Sequence, residues 1–134
     1  MEYPHPPSNA RPSEYTRELP NRERGLMIAR IWHGWTTTEN ANAYQHLLTT
    51  SIVPDIISKA IPGLDGVDIL RRADGPDTDV KVVTLMTFDD WSAVAAFAGP
   101  DRTGSVVPVA ARQLLKRYDE HSQHYEIVAR FTAS

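Results

Sequence analysis

Apolar positions along the chain fall into blocks with two different periods. Leu26–Trp35, "LMIARIWHGW", is apolar and β-branched, and Gly34 and the threonines after it close the run, which predicts a first strand. Residues 38–60 then repeat Ala41, Tyr44, Leu48, Ile52 and Ile56 at helical spacing, one stripe facing a core. Thr38 is the expected N-cap, with Glu39 near the positive end of the helix. Pro54 removes a donor and should kink or split that helix. Val67–Asp74 predicts a short strand, 75–79 a hairpin loop of turn formers, and Val80–Phe88 the clearest strand of the chain. Asp89 or Asp90 should cap a helix that Gly99 ends. Residues 105–122 predict a second short helix with Pro108 in its first turn and "KRYDE" as its solvated end. His124–Phe131 predicts the last strand.

The order β-α-β-β-α-β predicts an α+β domain of ferredoxin-like topology. It is a four-stranded antiparallel sheet with helices on one face and the first strand between the third and the last. The third strand places Val80, Val82, Met86 and Phe88 on one side and Val83 and Leu85 on the other. Both faces of that strand are apolar, so both should be covered. Helices cover one. A second copy of the sheet is the simplest cover for the other, which predicts a homodimer, a dimeric α+β barrel.

Composition narrows the picture. A length of 134 residues suggests one domain. Pro4, Pro6, Pro7, Pro12 and Pro20, with almost no aliphatic residues, mark 1–25 as a disordered tail, leaving 26–134 as the folded domain. A formal net charge of −3 argues against a nucleic-acid partner. The absence of cysteine removes disulfides and thiolate chemistry. No apolar run approaches the roughly 20 residues of a membrane span, and no secretory signal is visible at the N-terminus. The expectation is a soluble, cytoplasmic protein without a membrane partner.

"MIARIWHGWT" (27–36), "VVTLMTFDDWSAVAAFAG" (82–99) and "RYDEHSQHYEIV" (117–128) resemble segments of the antibiotic biosynthesis monooxygenase-like family of dimeric α+β barrels. The resemblance implies that fold and a dimer. It implies one of three roles: a cofactor-independent oxygenase converting phenolic or anthrone-type rings to quinones, a haem-binding and haem-degrading enzyme, or a stress-related protein. Haem-degrading members carry an Asn on strand one and a His on the helix after strand three. Neither is present here: strand one has no Asn and 89–98 has no His.

Candidate chemistry gathers at the end of strand one. Alternation sends His33 and Trp35 to one face and Trp32 and Gly34 to the other. If the last strand begins at His124 and pairs antiparallel with strand one, His124 and Tyr125 come beside His33 and Trp35. His121 then hangs over the same end, and Tyr44 follows on the first helix. The expected site is an apolar pocket for a small aromatic substrate. Trp35, Tyr44, Trp91 and Tyr125 form its walls. His124, or else His33 or His121, is the general base that takes a phenolic proton. No metal and no cofactor enter this reading. Packing roles for the tryptophans and Tyr44, and a ligand-binding or structural dimer without catalysis, stand beside it.

Overall fold

The computed structural model describes residues 26–133; the proline-rich segment 1–25 lies outside the described residues. Strand β1 (Ile28–Thr36) is the centre of the sheet. Its antiparallel partner β3 (Val80–Phe88) runs in register from Ile28↔Phe88 to Thr36↔Val80. The strand β2 (Leu64–Arg71) pairs with β3 on the far side, three residues earlier than the sequence pattern suggested. On the other flank of β1 lie two short strands, β4 (Leu115–Tyr118) and β5 (Gln123–Glu126). The order is β2-β3-β1 and then β4 with β5, so the ferredoxin-like arrangement holds, with its last strand broken in two.

That break corrects the sequence reading. The "LKRY" run is not a helix end; it is β4, which pairs with Gly34–Thr36, while β5 pairs with Ile28–Ile31. The edge therefore enters the sheet at Leu115 rather than at His124. The helix expected over 105–122 shrinks to α4 (Val109–Arg112). Leu115 is drawn into the sheet because it completes a core cluster with Tyr44, Leu48, Val82 and Ala111. The expected strand to Phe131 ends at Glu126, where the last ladder bond is Ile127 N–H to Met27 C=O. Beyond it Val128 and Phe131 are exposed.

The first helical segment begins at Ala41, with Asn40 at the cap position, not Thr38, whose hydroxyl bonds to Asp77 C=O. It passes from α1 (Ala41–Leu47) through a π turn (Leu48–Ile52) into α2 (Val53–Ser58) without a break. The stripe explains the winding. Tyr44, Leu48, Ile52 and Ile56 recur every four residues, about 400° of an α-helix, so the row drifts around the helix. A wider π turn cancels the drift and keeps the row on the sheet. Pro54 sits at the start of α2, directly after that turn, where the change of winding absorbs its missing N–H. Helix α3 (Trp91–Ala98) starts at Asp90, whose carboxylate accepts from Ala93 N–H, and ends at Gly99, with φ 90°. Ala93 and Val94 pack it onto Ile28, Met86 and Phe88.

Candidate functional site

Residues paired across β1 share a face, so the ladder sorts the candidate residues. Ile28, Arg30, Trp32, Gly34 and Thr36 face the helices. Ala29, Ile31, His33 and Trp35 face the opposite side. His124 pairs with Arg30 and Tyr125 with Ala29. His124 therefore lies on the helix face with Trp32 and away from Trp35, the reverse of the expected shared wall. The cause is the early entry of β4, which takes the place beside His33 and Trp35.

A cavity of about 60 Å³ lies between the sheet and the helices, lined among others by Arg30, Trp32, Tyr44, Met86, Phe97 and Ser122. The π turn contributes Leu48 and Ile52, and 106–108 close another side. Tyr44 is buried, and burial pushes its phenol up to about 12, so it stays a neutral hydrogen-bond donor. Trp32 has room because Gly34 carries no side chain: a Cβ there would meet its ring and Leu115 at 3.1 Å. The indole N–H donates to Ser105 Oγ at 3.0 Å and to Asp119 C=O at 2.9 Å.

Arg30 is the feature that pattern reading passed over. It occupies an inward position on an apolar strand, 3% exposed. Its Nη1 donates to Arg102 C=O and lies 3.0 Å from His124 Nε2; its Nη2 donates to Gly104 C=O at 2.9 Å. The face of Phe97 lies 5.4 Å away. Burial lowers the guanidinium below its ordinary value. Arginine has no acceptor, so His124 Nε2 must accept, and the His124 ring is neutral with its proton on Nδ1. Burial first, then the Arg30 and Arg102 charges, lower its pKa. The lone pair expected to act as base is thus already engaged by Arg30. The Trp91 ring lies 5.2 Å from the His124 ring, tilted by 53°, with the Arg102 guanidinium 4.9 Å over the indole. Trp91 is a rim residue, 38% exposed.

The open face holds a separate group. His33 Nδ1 lies 2.7 Å from Asp119 Oδ2, which also accepts from His33 N–H at 3.0 Å. That carboxylate accepts from the ring Nδ1–H and from the backbone N–H, and so orients the imidazole. Trp35 stacks near His33 at 6.0 Å, with Arg117 at 3.9 Å and Lys81 at 5.6 Å from its ring. Tyr125 is exposed and donates to Gln123 Oε1 at 2.7 Å. His121 is exposed on the turn between β4 and β5, opposite Gly104. Of the expected site, only Tyr44 lines the cavity, with His124 adjacent to it through Arg30 and Trp91 beside His124. His33, Trp35 and Tyr125 belong to the other face.

Among the described residues, no group of three or more His, Asp or Glu is arranged to hold a metal ion, and no helix is long and apolar enough to cross a membrane. No family model matches the sequence, and no curated protein does. Solved structures do match. One, described as a "putative antibiotic biosynthesis monooxygenase" from Bacillus cereus, superposes with a TM-score of 0.59 at 15% identity, covering 81% of this chain and 99% of its own. A conserved protein from Methanosarcina mazei Go1 gives 0.56 at 11% identity, covering 78% of this chain and 96% of its own. At these identities the likeness is one of backbone. The chain shares the ferredoxin-like α+β fold of the antibiotic biosynthesis monooxygenase-like proteins.

Proposed function

We propose that the chain is a cofactor-independent monooxygenase for a small phenolic or polycyclic aromatic substrate, bound between the sheet and the helices. The observation that carries this reading is the cavity itself: apolar and aromatic walls with a few buried polar groups, Arg30, Tyr44 and Ser122. In such a site a phenol gives up its proton and the electron-rich ring reacts with dioxygen. One oxygen atom replaces the single hydrogen of the para carbon as a quinone carbonyl. The other leaves as water with the C–H and O–H hydrogens. The protein supplies apolar walls, a cation facing the developing oxyanion and exclusion of bulk water.

A cavity of about 60 Å³ is smaller than the roughly 150 Å³ that holds benzene. Substrate entry therefore requires the cavity walls to part. The engagement of the His124 Nε2 lone pair by Arg30, which leaves no free imidazole base at the cavity, favours a second reading, a ligand-binding dimer without turnover. In either case the partner is a second copy of the chain. Ile31, Val83, Leu85 and Trp35 give the open face an apolar patch, and the run after Ile127 has no ladder partner among the described residues. A soluble cytoplasmic homodimer is the proposed form.

The test is oxygen uptake by chelator-treated protein with an anthrone or naphthol under oxygen-18. The expected product is a quinone with one labelled atom per turnover. Failure to consume oxygen across such a panel would leave the ligand-binding reading in its place.

A further inference from the structure

Arg30 and Ser122 present an unusual pair of buried groups in one cavity. A guanidinium has five N–H donors and no acceptor. The contacts to Arg102, Gly104 and His124 use three of them. The Nε–H and one Nη2–H have no hydrogen-bond partner among the described residues. None of the ion pairs among the described residues involves Arg30. Its acceptors are two carbonyls, a neutral imidazole and an aromatic face, none with a full negative charge. A buried charge left in that state is costly unless something else compensates it. Ser122 is 5% exposed, lines the same cavity, and its buried Oγ has no hydrogen-bond partner, although its backbone N–H is bonded to Thr103 C=O.

We propose that Arg30 and Ser122 form an oxyanion-recognition site, and that the cavity takes its aromatic ligand as the anion. An oxyanion accepts from the unused Arg30 donors and from the Ser122 hydroxyl, satisfying both orphans and neutralising the charge. His124 is then a positioning residue: its ring accepts from Nη1 and turns the guanidinium. This deepens the functional reading above, and names the ionised form as the species bound. No side chain in the cavity is needed as base, because the cation itself makes ionisation favourable.

The probe is 4-nitrophenol, which ionises near neutrality and absorbs visible light only as the phenolate. A cation within about 4–6 Å lowers an acid's ionisation midpoint by roughly 1–3 units, and the bound phenol should show a downward displacement of that size across a pH titration. The neutral isostere 4-nitroanisole should bind at least about tenfold more weakly. Arg30→Met should abolish the displacement, and Arg30→Lys should keep part of it. Arg30→Met leaves the Arg102 and Gly104 carbonyls without their donor, so its fold is checked by circular dichroism, and Arg30→Lys, which keeps the charge, carries the test if the Met variant unfolds. Ser122→Ala should weaken phenolate binding and leave binding of the anisole unchanged. Competition by benzoate would assign a carboxylate head group, and its failure a phenolate; both retain the oxyanion. An unshifted midpoint in the wild-type protein, or equal affinity for the neutral isostere, would overturn the proposal. Because these readings need no turnover, a protein with a shifted midpoint and no oxygen uptake keeps this inference and loses the oxygenase.

Discussion

His124 shows how one neighbour changes a residue's chemistry. By pattern it is a base at a pocket wall; beside Arg30 its accepting nitrogen is occupied. Its pKa is lowered by burial and by two arginines. The folded state therefore binds a proton less readily than the unfolded chain, and stability rises with pH where the unfolded ring is still protonated. The contribution is present above the ordinary value of 6.5 and is lost as pH falls through the lower folded value. Thermal midpoints taken from pH 8 down to pH 5 should fall, and His124→Gln should flatten part of that slope. Identical slopes would show that the ring does not titrate as the geometry requires. Trp32 makes a different claim. Its ring is half-buried and its N–H has two acceptors, so Trp32→Ala should cost about 3 kcal/mol, the low end for a buried aromatic, in chemical denaturation. The inward cation was legible: Arg30 alternates with Ile28 and Trp32 on an apolar strand. Its signal is a single charged residue among imidazoles and tryptophans, whose side chains offer the more familiar chemistry. Ser122, a serine in a polar turn, had no such signal.

At the scale of elements, pattern reading worked where one period runs long. β1, β3 and α3 came out at nearly their observed bounds, and the stripe from Ala41 to Ile56 faces the sheet as its spacing implied. It failed on Leu115–Tyr118, because four residues with two apolar ends fit a helix end and a strand equally well. Only the tertiary demand for Leu115 beside Tyr44 decides between them. That single choice moved His124 from one face of the sheet to the other. Gly63 gives an element-scale test. It has φ 84°, and a Cβ there would stand 2.6 Å from Ala93 Cβ on α3, while its carbonyl accepts from Asp89 N–H. Gly63→Ala should destabilise by roughly 1–3 kcal/mol through overpacking and added backbone strain. A neutral effect in denaturant titration would mean that α3 yields.

The whole molecule is two faces of one sheet with different chemistry. The helix face encloses Arg30, Tyr44 and Ser122; the open face carries His33 bonded to Asp119 and Trp35 under Arg117. With a second copy on the open face, light scattering should give twice the mass of one 15.0 kDa chain at micromolar concentration. Replacing both Val128 and Phe131 by Asp should shift that mass toward the monomer if the run after Glu126 completes the partner's sheet. The central claim is that ligand enters on the helix face. Backbone amide chemical shifts, followed while 4-nitrophenol is titrated into the full chain, separate the two faces directly. The amides of Arg30, Val107 and Ser122 should move together and saturate while those of His33, Trp35 and Arg117 stay still. Saturating shifts confined to His33, Trp35 and Arg117 would contradict it and put the site on the open face.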